Sequence, residues 1–313
     1  MSGIVIGTSI APRGIGKQLD AVESWLGLGF EVLSLNTPVE IDSLAPQFPE
    51  VSFRPVHRTA ESLTGRPLVF FDDLLGALHA TRAPVVGIVN SDVTLRGVPS
   101  VPAFLRQEAA GGFLFGSRRD TVTFEQESAR VYAEGYDFFF FARDAATVYP
   151  RTDLCLGMPW WDYWAPLVAL MRGLPVKRLE SPLAFHPHHD TAWDNDNWIR
   201  FGALFARELH MLVQSAIVER RMTAEPSESE RWMSLGGELA FESYLWRATE
   251  YNTLVDRLQE AARTGKPDPR LAAQRDQLVA WYRGICTFTN RYVNQHARPV
   301  AFEPAAALAE AVS

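Results

Sequence analysis

Short apolar runs alternate with longer stretches of helical period through the first two hundred positions. Gly3 to Ile10, Phe30 to Leu35, Val51 to Val56, Val85 to Val89, Gly112 to Phe115, Phe138 to Phe141 and Pro175 to Leu179 read as strands. Val85–Val89 and Phe138–Phe141 are apolar without interruption, the pattern of strands covered on both faces. Between them, Ile15, Leu19, Val22, Trp25 and Leu26 share one face of a helix over 15–28, and Val69, Leu74, Leu75 and Leu78 share one over 68–81. This succession predicts an α/β fold with a mostly parallel sheet flanked by helices. From Trp198 the period changes to long helices: Phe201, Leu204, Phe205, Leu209, Leu212 and Val213 keep 3.6-residue spacing, and further helices are expected over 238–264 and 271–295, beyond a polar linker at 223–230. The expected division is a sheet domain over 1–200 and a helical extension over 201–313. The aromatics of the extension serve packing between helices or a surface for a second copy of the chain.

The 313 residues are 47% hydrophobic and 21% charged, as in a globular chain. A net charge of −7 lacks the basic face of a nucleic-acid binder and the polybasic segment of a membrane anchor. Any anionic ligand must therefore be held locally, by arginine, backbone N–H groups or a metal. Cys155 and Cys286 form no disulfide framework or zinc pattern, and no basic leader or membrane-length apolar run is apparent, so a cytoplasmic setting is expected. Two nucleotide motifs fail. Gly14-Ile15-Gly16-Lys17-Gln18 lacks the first glycine of a P-loop, which is Ala11, and its Ser or Thr, which is Gln18; a dinucleotide fingerprint fails at Leu19.

Polar residues collect where strands end, which is where open α/β sheets bind ligands. Asn90, Ser91 and Asp92 follow Val89, Thr8 follows the first run, and Asn36 follows the second. Arg66 precedes the helix at 68–81, a place suited to phosphate, and Arg118 and Arg119 follow the strand at 112–115, as surface charges or as ligand contacts. Asp162 stands at a helix start behind Trp160 and Trp161: a cap beside buried rings, or a base beside an aromatic platform for sugars. His186, His188, His189 and Asp190 fall within five positions, a polar loop or a set of metal ligands.

Asn90-Ser91-Asp92 at a strand end, Asp137 before the phenylalanine run, Asp162 at a helix start and the late histidines, in that order, resemble the GT-A fold glycosyltransferases of the nucleotide-diphospho-sugar transferase superfamily. The family's Asp-x-Asp motif has Asn90 in its first place here. The resemblance implies a GT-A-like mixed sheet and transfer of a sugar from a nucleotide diphosphate sugar to the hydroxyl of a glycan or other acceptor. It implies Asp162 as the base of an inverting reaction and donor contacts from Thr8, Asn36, Arg66, Asn90, Ser91 and Asp92. Trp160 and Trp161 would contact the acceptor, and Asp92 with His186 or His189 would hold Mn²⁺ or Mg²⁺. A sugar-nucleotide pyrophosphorylase would share the sheet, but Ala11 to Lys17 imitates its glycine-rich loop poorly. Asn90 in the acidic place leaves a catalytically silent binding or scaffold protein as the other alternative.

Overall fold

The computed structural model describes residues 3–121, 130–132, 135–187, 193–223, 254, 256–258, 260–261, 263–266 and 269–302. In chain order the elements are β1 (Ile4–Thr8), α1 (Ile15–Gly27), β2 (Glu31–Asn36), α2 (Pro38–Leu44), β3 (Ser52–Pro55), α3 (Glu61–Thr64), α4 (Phe71–His79), β4 (Val85–Val89), β5 (Thr94–Leu95), α5 (Val101–Ala109), β6 (Phe113–Gly116), β7 (Arg119–Thr121) and β8 (Arg130–Val131). They continue with β9 (Phe138–Ala142), α6 (Trp161–Met171), β10 (Val176–Leu179), β11 (Ala184–Pro187), α7 (Asn195–Thr223), α8 (Pro269–His296) and β12 (Arg298–Val300). The helix expected over 238–264 falls mostly outside the described residues.

Eight strands make the main sheet in the order β12-β10-β6-β9-β4-β1-β2-β3. All are parallel except β9, which runs against both β4 and β6. The mostly parallel mixed sheet expected from the sequence is present, in an arrangement consistent with a GT-A-like fold. Strand order reverses at β1, between β2 and β4, so the crevice at the carboxyl ends of β1 and β4 is the topological binding place.

The period-2 alternation of the buried strands divides the core in two. Val86, Ile88, Phe139 and Phe141 face α4, α6, α7 and α8, whereas Val85, Val89, Phe138 and Phe140 face α1 and α5. Phe201, Phe205, Leu209, Tyr282 and Val293 of α7 and α8 belong to the first of these cores, and β12 pairs with β10 at one sheet edge. Residue 200 lies within α7. No helix among the described residues is long and apolar enough to cross a membrane.

Two glycines make room for the rings of β9. Gly87 lies opposite Phe140 and Gly116 opposite Phe138 in the ladder, and the ring lies across the glycine in each case. A β-carbon at Gly87 would stand 2.6 Å from the Phe140 ring and 3.0 Å from the Phe139 carbonyl oxygen. Overpacking a central strand in this way destabilises by about 1–3 kcal/mol, so Gly87→Ala is expected to lower the urea midpoint with an unchanged slope.

Five features were not anticipated from the sequence: α2, α3, α5, β12 and a second sheet of order β5-β11-β7-β8. The Asn36-Thr37-Pro38 tip is a helix start. Thr37 accepts from the Glu40 N–H, Glu40 returns a bond to the Thr37 N–H, and Pro38 occupies the first turn.

Candidate active site

The small sheet assembles most of the polar cluster. The Val93 N–H donates to the Asn90 carbonyl at 3.0 Å, and this turn delivers Asp92 just ahead of β5. β11 lies between β5 and β7, with His186 in register with Asp120. The buried His186 ring is flanked on both sides by carboxylates: Nε2 is 3.3 Å from Asp92 Oδ2, and Nδ1 is 3.5 Å from Asp120 Oδ1.

From Asp120 the contacts run on into the main sheet. Arg118 donates through Nε to Asp120 Oδ1 at 2.8 Å and through a terminal nitrogen to Asp137 Oδ1 at 2.5 Å, with its guanidinium over the Tyr132 ring at 4.1 Å. Burial opposes the Arg118 charge, but Asp137 and Asp120 outweigh it and raise its pKa, so the cation is permanent. Asn90 donates to the same Asp137 oxygen at 3.1 Å. That bond explains the departure from an acidic pair: an aspartate at position 90 would set carboxylate against carboxylate.

Asp162 closes the far side. It lies in the first turn of α6, after Trp160, which adopts φ 84° and is the one non-glycine residue with positive φ among those described. Such a backbone costs on the order of 1–3 kcal/mol, offset here by enclosure. The Trp160 indole N–H donates to the Trp198 carbonyl at 3.0 Å, and its ring packs on Trp198, Phe205 and Tyr282. Asp162 Oδ2 accepts the Tyr136 N–H at 3.2 Å. Gly135, at φ 128°, permits this approach, because a β-carbon there would collide with Asp162 Oδ2. Burial, then the neighbouring Asp137 charge, push the Asp162 carboxyl up to about 7; the backbone N–H groups of Tyr136, Asp162 and Tyr163 work against that shift. A carboxylate so tuned can accept a proton near neutral pH.

Asp92, His186, Asn90 and Asp162 are thus joined through Asp120, Arg118, Asp137 and Tyr136, and Ser91 lies at the partly accessible strand tip beside them. His189 lies outside the described residues. Arg66 is half-buried, with Met158 Sδ 3.9 Å from its guanidinium; burial, then the nearby Arg13, lower its pKa. Both arginines follow strands of the main sheet on its carboxyl-end side, where a guanidinium can meet an anion. Arg13 reaches that place because Gln18 ties its loop, accepting from the Ala11 N–H and donating to the carbonyls of Ala11 and Arg13.

Four residues expected to contact a ligand are enclosed. Trp160 is 0% and Trp161 3% exposed, so neither offers a ring face to an acceptor; Trp161 packs on Phe71 and Phe139. Asn36, 1% exposed, donates to the Ile10 carbonyl and accepts from Ser34, which fixes the β1–α1 loop. Thr8 is fully enclosed, and its hydroxyl has no hydrogen-bond partner among the described residues. Strand-end polarity flags such residues whether they face ligand or core. Conversely, Asp120 reaches the site on β7, and the strands of the small sheet have two to four residues, too short to leave a periodic signal.

His186 can give Nε2 to a cation while its Nδ1 edge faces Asp120 at 3.5 Å, the side on which a second-shell carboxylate would stand. Asp92 adds one carboxylate beside it. Among the described residues no three His, Cys, Asp or Glu side chains gather around one point. Two protein ligands still fit ions that take their remaining oxygens from substrate phosphates and water.

The sequence matches no protein-family model and no curated protein. Among solved structures it is similar to TarS residues 1–349 of S. aureus, at 11% identity over 92% of this chain and 91% of that one, with a TM-score of 0.41. A mannosyltransferase, PcManGT from Pyrobaculum calidifontis in complex with GDP-Man and Mn²⁺, is 16% identical over 93% and 84%, with a TM-score of 0.42. HddC from Yersinia pseudotuberculosis is 10% identical over 59% and 89%, with a TM-score of 0.33. Overlaps this loose carry no weight for function.

Proposed function

We propose that this chain is a metal-dependent, inverting glycosyltransferase that moves a sugar from a nucleotide diphosphate sugar to the hydroxyl of a glycan or another acceptor. The observation that carries the reading is the unbroken path of contacts from Asp92 and His186, at the end of β4 and on β11, to Asp162 at the start of α6. It joins a place for a charged leaving group to a carboxylate of nearly neutral pKa. The acceptor oxygen attacks the anomeric carbon, the bond from that carbon to the diphosphate oxygen breaks, and the nucleoside diphosphate leaves with the electron pair. Asp162 takes the hydroxyl proton. Attack from the side opposite the leaving group inverts the anomeric centre.

Asp92 and His186 would hold the cation, with His189 retained from the sequence as an expected further ligand. Once bound, Mn²⁺ or Mg²⁺ neutralises charge on the departing diphosphate. The local charge calls for one: Asp120 and Asp137 hold the Arg118 guanidinium, Asp92 faces His186 and Asp162 lies by Asp137, a setting that repels a diphosphate. Arg13 and Arg66 would take a phosphate at the other end of the crevice, and Asn90 and Ser91 would line the sugar end. Because Asn90 serves Asp137, its presence gives no support to a silent relative.

Calorimetry with GDP and UDP tests the reading. One of the two is expected to bind, at least tenfold tighter with Mn²⁺ than with a chelator, a gain of about 1.4 kcal/mol. Failure of both nucleotides to bind, with metal and without, would remove the proposal.

A further inference from the structure

Tyr136 joins the site to a helix remote from it in sequence. While its N–H donates to Asp162, its hydroxyl donates to Oδ1 of Asn290 on α8 at 2.6 Å. That same oxygen accepts Nδ2 of Asn294 at 2.7 Å, and Asn294 Oδ1 accepts from Arg178 of β10 at 3.0 Å. The phenol ring is 2% exposed and meets Phe115 edge-on at 4.5 Å and Tyr163 at 5.8 Å. Residues 135–137 belong to no helix or strand, so these side-chain contacts and the bonds of Asp137 hold the segment in place. A two-ended clamp results: the backbone end grips the carboxylate and the phenol end grips α8.

We infer that α8 is a working part of the active site, with Asn290 a positioning residue that acts through the Tyr136 hydroxyl to keep the Tyr136 N–H on Asp162. The inference rests on the reading of Asp162 as the base, but it concerns how that carboxylate is held. Asp137 is the charged group facing Asp162, with the phenols of Tyr136 and Tyr163 beside it; Arg178 faces Tyr136 from β10, and Cys286 faces Tyr163 from α8. Altering Asn290 replaces none of these groups. An N–H donated to a carboxylate favours its ionised form, so slackening the clamp raises the pH at which Asp162 ionises.

The test uses the full-length protein and three variants, Asn290→Leu, Tyr136→Phe and the double variant, each shown to be folded by its thermal transition. Tyr136→Phe removes a single oxygen and serves if the Asn290 change disturbs α8. The Asp162 carboxyl is followed by carbon-13 NMR in aspartate-labelled protein, assigned with Asp162→Asn, beside the pH dependence of turnover. Each single variant is expected to raise the Asp162 midpoint and the acidic limb of kcat together, by about half to one pH unit, with donor KM unchanged. The double variant should shift no further than either single one, because both break the same link. Midpoints unmoved in folded variants overturn the inference, and so does full additivity. A midpoint that moves while the limb stays put upholds the clamp and removes the base assignment instead.

Discussion

Asp162→Asn is expected to lower turnover by about 10²–10⁴-fold and to leave nucleotide binding as it was, since general-base assistance is worth that much. Asparagine keeps an oxygen to accept the Tyr136 N–H but cannot take a proton. The wild-type rate should fall on the acid side with a midpoint near 7, the value to which burial and Asp137 push the carboxyl. Stability should run the other way. A carboxyl whose folded pKa lies above its unfolded value binds more protons when folded between the two. The fold is therefore favoured most below the ordinary carboxylate range, and that share is lost as pH rises through about 7. The asparagine variant escapes this loss, so at pH 8 it should melt above the wild type while turning over far more slowly. Thermal scans and initial rates at pH 5.5 and 8 read both trends. Wild-type turnover in the variant would strike Asp162 from the mechanism, and equal melting at pH 8 would contradict the upward shift of its carboxyl.

Gly135→Ala is expected to be nearly as damaging, with a rate loss on the order of 10²-fold from misplacement of the base. Two constraints act together there: φ of 128° disfavours any side chain, and a β-carbon has nowhere to go but into the Asp162 carboxylate, with the Tyr132 ring at 3.3 Å. Because residues 135–137 belong to no helix or strand, circular dichroism should show the secondary structure intact while kcat falls. A variant with unimpaired kcat/KM would mean that the Asp162 carboxylate does not work from this position.

The main sheet was legible because uninterrupted runs such as Val85–Val89 have few other uses, and the ends of those runs marked Asn90 and Asp92. Asp162 and His186 were legible as residue types in suggestive places, beside alternatives that sequence alone left standing. Trp160 and Trp161 misled because an aromatic-rich stretch reads the same whether its rings line a cleft or fill a core. Thr8 and Asn36 misled in the same way, as polar residues at strand ends that turn inward. Asp120 depends on strands of three or four residues, where pairing comes from tertiary packing and not from local pattern. The link from Tyr136 to Asn290 spans 154 positions and leaves no local trace.

The pairing of β12 with β10 sets an order of events during synthesis. Arg298–Val300 covers the outer side of Lys177–Leu179, and α8, which anchors Tyr136, runs directly into that strand. Until residue 300 has left the ribosome, β10 keeps bare amides on one flank, the kind of flank that invites mispairing. A nascent chain that stops short of α8 already holds Asp92, His186 and Asp162, yet lacks the anchor for the loop between them.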